Sequence, residues 1–326
     1  MLNIIKKEFP TAINNYSGFF IIIVIKNMKY IITGVLIYYF CFTCKLYTQD
    51  LNPWVYGNLP VKISAAVINY TYSTGNVLGD PGAPIQDFNL NTNILAVGYL
   101  RTFSFFGKLG RAQVIIPFSF MSGSLKFRGK DTSGTRTGFN DVSLRLGINI
   151  FGSPPLEIQD YRKFRQEKIL GASLVITIPV GQYYTEKLIN IGSNRWGFRP
   201  EIGASIRVGQ FYLETYAGVK FSTKNSEYLE NKTLRLSPLF GLQMHINHTF
   251  KNFMRVAFSL AYLNGGQTSV NDVNNDDYIR HLRSGLTFGM SFSPFHSVSL
   301  QVNTSLFTNI SLDYKSINFT YTYTWF

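Results

Sequence analysis

The side chains best suited to chemistry in this chain are charged and aromatic residues that recur at every second position among apolar neighbours. Arg145, Glu201 and Glu214 each lie in such an alternating segment. Successive side chains of a strand point to opposite sides, so the spacing places the polar set on one face. The residues sharing this phase are Lys62, Arg111, Asp141, Arg145, Glu201, Arg207, Tyr212, Glu214, Tyr216, Lys220, His245, Arg255, His281 and Arg283.

Charged side chains that converge in this way can select solutes by charge and size. Rings of charge and a narrow constriction set the selectivity of pores. Basic residues outnumber acidic residues in the set, which indicates a weak preference for anions or for polarisable aromatic molecules. The alternative interpretation is that the charges pair across neighbouring strands and merely fill the interior.

A second group of candidate residues lies in the block Gly192–Arg199, where a predicted external loop enters a strand. Arginine and tryptophan together can stack on, and hydrogen-bond, an aromatic or acidic solute at a pore mouth. Alternatively, the aromatic residues belong to an interfacial girdle and Arg195 caps the loop. The predicted pore-mouth residues are Asn194, Arg195, Trp196 and Arg199.

Catalysis is the main alternative function for such residues, and the predicted positions of the histidines test it. A serine hydrolase needs a serine, a histidine and an orienting acid or amide in contact. Of the four histidines, only His281 is predicted at the outer rim, and no nucleophile with an orienting group is identifiable beside it. No phosphate loop, nicotinamide fingerprint or zinc motif is present. We therefore predict no catalytic residue, no metal site and no cofactor.

The elements that must position these residues are long β-strands. Val142, Leu144, Leu146 and Ile148 share one phase, whereas the residues between them are mostly polar or small. Only 15% of the chain is charged and 16% is aromatic, against the roughly 25% charged residues of a typical soluble domain. No apolar run in the later part of the chain approaches the roughly 20 residues of a membrane-crossing helix. The pattern predicts an all-β fold, a transmembrane antiparallel β-barrel with an apolar lipid-facing phase.

The predicted barrel has twelve strands in up-and-down order, joined alternately by long polar loops and short turns. Outer-membrane barrels have long external loops and short periplasmic turns. The two-residue turn Gly209-Gln210 predicts a hairpin that pairs Val208 with Phe211 and Ser205 with Glu214. The predicted strands are 61–71, 90–101, 110–120, 139–151, 168–179, 198–208, 211–222, 233–247, 253–263, 281–293, 297–308 and 315–326.

The first fifty residues are typical of a leader. Residues 28–49 have the basic start, apolar core and polar end of a secretory signal peptide. Residues 1–27 are interpreted as an upstream extension from an unused start, with a helical anchor over 19–42 as the alternative. Both cysteines lie in the leader, so the predicted barrel, residues 50–326, has none.

These features predict an integral protein of the Gram-negative outer membrane with both termini in the periplasm. Trp325 and Phe326 end an amphipathic last strand, which is typical of the signal read by the outer-membrane barrel assembly machinery. The other expected partners are outer-membrane lipid and a small-molecule solute. Nucleic acid is not expected, because the net charge of +13 is scattered without a basic run. The segment 52–60, with Trp54 and Tyr56, is predicted to fold into the lower lumen.

Several stretches of the chain resemble a family of bacterial outer-membrane transporters first associated with the meta-cleavage pathway of phenol degradation. The resemblance covers residues 50–326, and the block 190–201 (NIGSNRWGFRPE) is its most specific part. It implies a barrel of about this size that moves small, often aromatic, molecules. The other matching stretches are 57–60, 138–141 with 143–146, 171–182, 264–268 and 323–326.

Three functional hypotheses follow from the sequence. The first is a channel or transporter that passes small molecules through a narrow charged lumen by passive diffusion. The second is a barrel enzyme acting on surface lipid or peptide, which would need a catalytic group at the outer rim. The third is a closed structural or adhesive barrel.

Overall fold

The computed structural model describes residues 51–75, 85–127, 130–187, 189–250, 253–309 and 313–326. The predicted signal peptide (28–49) and upstream extension (1–27) lie outside the described residues. Within the described residues, helix is confined to one short element, α1 (Ile158–Tyr161). No helix in these residues is long and apolar enough to cross a membrane.

Seventeen strands make up almost all of the regular structure in these residues. They are β1 (Ser64–Gly75), β2 (Ile85–Phe105), β3 (Lys108–Phe127), β4 (Lys130–Phe139), β5 (Val142–Phe151), β6 (Lys168–Ile178), β7 (Gly197–Val208), β8 (Phe211–Ser222), β9 (Asn225–Tyr228), β10 (Lys232–Leu236), β11 (Leu239–Thr249), β12 (Met254–Gly265), β13 (Thr268–Val270), β14 (Val273–Asn274), β15 (Ile279–Ser291), β16 (His296–Thr308) and β17 (Tyr314–Trp325).

Thirteen of these strands form one antiparallel sheet that closes on itself. β1 pairs with both β2 and β17, which closes the ring. β3 pairs with β5 along one half and with β4 along the other. Because β4 and β5 share one position, the ring has twelve positions in the order β1, β2, β3, β4/β5, β6, β7, β8, β11, β12, β15, β16, β17. The predicted twelve-stranded, up-and-down barrel is confirmed.

The barrel has polar side chains on its inner face and apolar side chains on its outer face, which is the reverse of a soluble protein. In β7, Glu201 and Ser205 are buried, whereas Ile202 is 51% exposed and Ile206 is 43% exposed. The same alternation leaves a band of large apolar residues around the outer wall. Such an extended apolar surface is stable only against lipid or another apolar partner.

The tight turn at Gly209-Gln210 sets the register of β7 and β8 as predicted. Val208 pairs with Phe211, and Ser205 pairs with Glu214. Gly209 has a φ of +63°, which a two-residue hairpin turn requires and which glycine adopts without steric cost.

The structure departs from several of the predicted strand limits. The predicted strand 233–247 is divided at Pro238 into β10 and β11, because proline cannot donate to the ladder. The predicted loop 121–138 falls mostly within β3 and β4, which pair from Phe118–Phe139 to Phe127–Lys130 while β2 stays paired with β3.

The two ends of the barrel differ in what they carry. One end has short turns such as Gly209-Gln210, and we call it the turn end. The other end, the loop end, carries a separate four-stranded sheet in which β10 pairs with β9 and β13, and β13 pairs with β14. Through this small sheet, the connection between β8 and β11 pairs with the connection between β12 and β15.

Candidate functional site

A segment of the chain that precedes β1 crosses the barrel lumen; residues 51–60 are called the crossing segment below. The side-chain amide of Gln301 on β16 donates to the carbonyl of Leu51. The hydroxyl of Tyr56 lies 2.9 Å from Ser173 Oγ on β6. β16 and β6 are six positions apart in either direction around the ring, so the segment reaches opposite walls. The prediction that it folds into the lumen is confirmed.

Polar groups of the barrel wall hold the backbone of the crossing segment. Arg111 donates to the carbonyl of Val55 and, at 3.2 Å, to that of Gly57. The backbone N–H of Trp54 donates to Glu214 Oε2 at 2.8 Å. Irregular backbone inside a barrel needs such partners, because an unpaired buried polar group is costly. Arg111 and Glu214 therefore supply hydrogen-bond partners for the backbone of the crossing segment.

Two wall glycines make room for the ring of Tyr56, which is only 1% exposed. A Cβ on Gly203 would lie 2.1 Å from Tyr56 Cε2, and one on Gly171 would lie 2.3 Å from Tyr56 Cδ1. The ring also meets Tyr216 edge-on, with 5.2 Å between the ring centroids. Only glycine at both positions allows the ring to seat this deeply.

The hydroxyl of Tyr56 joins a charged network centred on Glu201. It donates to Glu201 Oε1 at 3.1 Å, and Arg145 Nη1 lies 2.8 Å from the same oxygen. Arg199 Nε lies 3.8 Å from the other oxygen, Oε2. The side chain of Glu201 is 5% exposed and that of Arg145 is 15% exposed. Arg145 and Glu201 therefore form a nearly buried pair, as the pairing interpretation expected.

A second network lies beside the first on the inner wall. The hydroxyl of Tyr216 donates to Glu214 at 2.5 Å. The ring of His245 lies 5.0 Å from that of Tyr216, and its Nδ1 is 2.7 Å from Ser259 Oγ. All four residues are buried. Glu214 and Tyr216 thus contact the crossing segment, through the backbone of Trp54 and Val55.

On the loop-end side of the Glu201 network, a cavity of about 180 Å³ opens on the inner wall. The strand register places its residues one or two inward positions from Glu201 toward the loop end, and Arg199 belongs to both the network and the lining. Ser143 pairs with Thr177, and Arg199 pairs with Val175. We call this cavity the vestibule; its lining residues are Ser143, Val175, Thr177, Gly197, Phe198, Arg199 and Lys220.

The lumen is much narrower next to Glu201. A cavity of only about 10 Å³ lies between Arg199, Glu201, Tyr216 and Gly218 on one side and β11 and β12 on the other. That volume is close to the space of a single water molecule. The cavity beside Glu201 is therefore far smaller than the vestibule.

Among the predicted pore-mouth residues, only Arg199 lines the vestibule. Trp196 is 44% exposed and stacks on Phe198, with 6.4 Å between the ring centroids. Asn194 donates to Glu227 at 2.9 Å within the loops. The carbonyl of Arg195 accepts from Ser193 within the same loop. The girdle interpretation therefore describes Trp196 and Phe198 better than solute stacking does.

Asp141 has a role that its strand phase did not indicate. Its Oδ1 accepts from the backbone N–H of Gly181 at 3.0 Å, and its Oδ2 accepts from the backbone N–H and hydroxyl of Ser193 at 2.9 and 2.5 Å. Both carboxylate oxygens are thus bonded to the loop between β6 and β7. Asp141 anchors that loop above the vestibule rather than presenting its charge to a solute.

The predicted lumen residues nearest the turn end lie apart from the vestibule. Arg207 pairs with the exposed Glu167 at 3.0 Å, and Tyr212 is its register partner on β8. Arg255 is exposed and lies over the ring of Trp54, 5.8 Å from its centroid. These residues surround the turn-end entrance of the lumen.

Lys62, which was expected on the lumen face, lies before β1 at the turn end. Its exposed ammonium contacts Glu157 at 2.6 Å, just before α1. The hydrogen bond from Lys62 lowers the pKa of the Glu157 carboxyl. The strand phase misplaced this lysine because β1 begins three residues later than predicted.

His281 and Arg283 occupy the opposite wall near the loop end. The guanidinium of Arg283 lies 4.4 Å from the ring centroid of Tyr314. His281 Nε2 lies 2.9 Å from Ser305 Oγ, a hydroxyl that the strand pattern did not place beside this histidine. That hydroxyl is also bonded to the backbone N–H and carbonyl of Tyr314. The serine therefore holds the start of β17.

The residues that contact the crossing segment or line the vestibule include several that the sequence pattern did not single out. Ser173, Thr177 and Ser143 share the inward phase of the charged set, and this phase was the signal that could have identified them. Across the described ranges, histidine and acidic side chains do not form a group that could hold a metal ion.

The last strand ends in an aromatic cluster at the turn end. Trp325 stacks on Tyr323 at 5.6 Å between centroids, and Phe326 lies 5.9 Å from Phe295. β17 also pairs with β1 along its full length. These terminal residues thus contribute to barrel closure and to the outer aromatic surface.

The fold is similar to that of an outer membrane channel from Pseudomonas putida F1. The two share 19% sequence identity over 85% of this chain and 100% of that chain, with a TM-score of 0.70. Weaker similarity extends to the beta domain of the Bordetella autotransporter BrkA (13% identity, 80% and 98% coverage, TM-score 0.47) and to the NanC porin (8%, 79% and 98%, 0.45).

No curated protein matches the chain in sequence. Residues 69–309 match the family described as "Putative MetA-pathway of phenol degradation". This range lies inside the stretch that resembled such a family and includes most of the barrel. The chain belongs to this family.

Proposed function

We propose that the protein is an outer-membrane channel through which small molecules, aromatic or acidic ones in particular, diffuse passively. The observation that carries the proposal is a closed barrel with an apolar outer wall and a charged inner wall that surrounds a cavity of about 180 Å³. A barrel of twelve strands lies between the filled eight-stranded barrels and the wide sixteen-stranded porins. Its lumen suits solutes of one ring or less. The name of the Pseudomonas channel agrees with this function.

The crossing segment is the constriction of this channel. It spans the lumen between opposite walls and seats Tyr56 beside Glu201. A solute that enters the vestibule meets Arg145, Glu201 and Tyr56 next. Passage therefore requires movement of this segment or a path around it, which explains why we expect low conductance rather than a wide aqueous pore.

We assign the turn end to the periplasm and the loop end to the cell exterior. Outer-membrane barrels place short turns in the periplasm and long loops outside. The crossing segment enters and the last strand ends at the turn end, so both ends of the described barrel would be periplasmic. An epitope tag after Phe326 should react with antibody only in permeabilised cells; labelling of intact cells would refute the assignment.

The terminal residues Trp325 and Phe326 are proposed as the contact for the outer-membrane barrel assembly machinery. They end the last strand at the turn end, where Phe326 is exposed and its ring lies 5.9 Å from that of Phe295. Truncation after Thr324 should reduce the amount of folded barrel in the outer membrane. Deletion of two loop-end residues, Glu186 and Lys187, provides a control of equal length. Equal amounts of folded protein from both variants would argue against this role.

Swelling of proteoliposomes tests the channel proposal directly. Vesicles that contain the refolded barrel should swell in isosmotic solutions of small solutes such as benzoate or glycerol, and more slowly in sucrose. Empty vesicles and vesicles with heat-denatured protein are the controls. Equal swelling rates for all vesicles, with a barrel that is folded by circular dichroism, would overturn the proposal.

A further inference from the structure

The connection between β5 and β6, residues 152–167, is far longer than the other connections at the turn end, and we call it the long turn. It contains α1, whereas two residues join β7 to β8. Connections of more than about 12–15 residues are uncommon in compact domains, and those that are ordered usually serve a function. The contacts of the long turn indicate what its function is here.

Three parts of the long turn bond a single residue of the crossing segment, Asn58. At the start of the turn, the hydroxyl of Ser153 donates to the side-chain oxygen of Asn58. In its middle, the hydroxyl of Tyr161 donates to the carbonyl of Asn58 at 3.2 Å. At its end, Gln166 Oε1 accepts from the backbone N–H of Asn58 at 3.0 Å. Asn58 and Ser153 are buried, so water has little access to replace these bonds.

The long turn is itself tied to the barrel at two separate places. The carbonyl of Glu167 accepts from the backbone N–H of Arg207 on β7 at 2.7 Å. The carbonyl of Leu156 accepts from the backbone N–H of Val61, just before β1, at 2.8 Å. β7 and β1 lie five positions apart in the ring. The turn is therefore a fixed support for Asn58 and not a free loop.

Asn58 lies midway between two points at which the barrel wall fixes the crossing segment. On one side, Thr102 Oγ1 of β2 donates to the carbonyl of Pro60 at 2.7 Å. On the other side, the ring of Tyr56 is seated against the glycines of β6 and β7. With Pro60 held, the ring can leave its seat only if the backbone between these two residues turns. A support that holds Asn58 therefore keeps the ring seated without touching it.

We propose that the long turn positions the constriction of the channel, with Ser153, Tyr161 and Gln166 as positioning residues that act through Asn58. This inference rests on the proposed channel function, because it names what holds the crossing segment across the lumen. Displacement of the segment must break these contacts at the turn end. The long turn therefore sets how often the passage opens.

Thiol labelling measures displacement of the segment independently of any current. Leu51 is 3% exposed, and its carbonyl accepts from Gln301 on the wall opposite Tyr56. The refolded full chain in micelles would carry Leu51→Cys, with Cys41→Ser and Cys44→Ser to remove the native thiols. A maleimide then reacts when the segment leaves the wall, so the labelling rate follows the displaced fraction.

Gln166 offers a matched pair of substitutions. Gln166→Ala removes the acceptor for Asn58 and also the amide that donates to Ser205 Oγ at 2.9 Å. Gln166→Glu loses only that amide and keeps the acceptor. Gln166→Ala should raise the labelling rate about fivefold, the factor expected for one neutral hydrogen bond, whereas Gln166→Glu should leave it nearly unchanged.

Tyr161→Phe removes a different contact with Asn58 and should also raise the labelling rate about fivefold. Lys163→Ala is the control on the same turn, because Lys163 is exposed. Heat-modifiable migration on gels verifies that every variant is folded. Equal rates for Gln166→Ala and Gln166→Glu, or equal rates for Tyr161→Phe and Lys163→Ala, would overturn the proposal.

Recordings in planar bilayers separate this inference from the channel itself. Gln166→Ala and Tyr161→Phe, without the Leu51 substitution, should raise the ratio of open to closed time by a factor similar to the change in labelling. Current through the unmodified barrel with equal labelling of all variants would leave the channel and remove the positioning role. Faster labelling of the two variants in a barrel that passes no current would leave the positioning role and refute the channel.

Discussion

Replacing Tyr56 with phenylalanine tests whether the crossing segment limits flow through the barrel. The substitution keeps the ring between Gly171 and Gly203 but removes the hydroxyl. That hydroxyl lies 2.9 Å from Ser173 Oγ and donates to Glu201 at 3.1 Å. The change therefore weakens the anchor of the segment without altering the barrel wall.

The expected size of the effect follows from these contacts. A hydrogen bond to a charged group contributes about 1.5–3 kcal/mol, and a neutral one about 1 kcal/mol. Because Glu201 keeps Arg145 as a partner, we expect the segment to lose about 1–3 kcal/mol of its anchoring free energy. This corresponds to a shift of roughly 5–150-fold in the equilibrium between the seated and displaced segment.

Single-channel recording in planar bilayers measures this shift as the fraction of time spent in the most conductive state. Tyr56→Phe should raise that fraction. Tyr70→Phe is the matched control, since it removes an exposed hydroxyl that bonds Asn93 on the outer wall. If both variants show the open fraction of the unmodified chain, the crossing segment does not control the current and our reasoning is refuted.

Two further substitutions test the packing around the same segment. Glu201→Gln should lower the free energy of unfolding by about 3–5 kcal/mol, because it leaves the charge of Arg145 nearly buried without its partner. Glu167→Gln, at an exposed ion pair, should cost less than about 1 kcal/mol; equal guanidinium midpoints for the two variants would contradict the buried network. Gly203→Ala should raise the open fraction as strongly as loss of the tyrosine hydroxyl, because its methyl group would overlap the seated ring. Gly134→Ala, where a Cβ meets nothing within 4 Å, should leave the recordings unchanged, and the same result for Gly203→Ala would show that the ring is not seated there in solution.

The alternation of polar and apolar residues was enough to predict the barrel, because this alternation is visible within the sequence of each strand. The phase of Glu201 and Glu214 follows from their immediate neighbours, and the register of β7 on β8 follows from one two-residue turn. The lumenal position of Tyr56 was also predicted, since only a short segment separates the predicted leader from β1. These features need no knowledge of distant residues.

The details of the site depend on contacts between distant parts of the chain, which alternation does not encode. Tyr56 meets Glu201 across 145 residues of sequence, and its ring fits because glycine occupies positions 171 and 203. Asp141 has the phase of a lumen residue but bonds a loop that is 40–52 residues away. Strand phase alone could not separate this anchoring carboxylate from one that faces a solute.

The most direct test of the central claim is the reversal potential of the refolded barrel in a planar bilayer with a gradient of potassium chloride. Our account predicts discrete low-conductance steps, a reversal potential shifted toward that of chloride, and a smaller shift after Lys220→Gln. A folded barrel that passes no current, or one that selects potassium over chloride, would contradict the account of a narrow, positively charged passage.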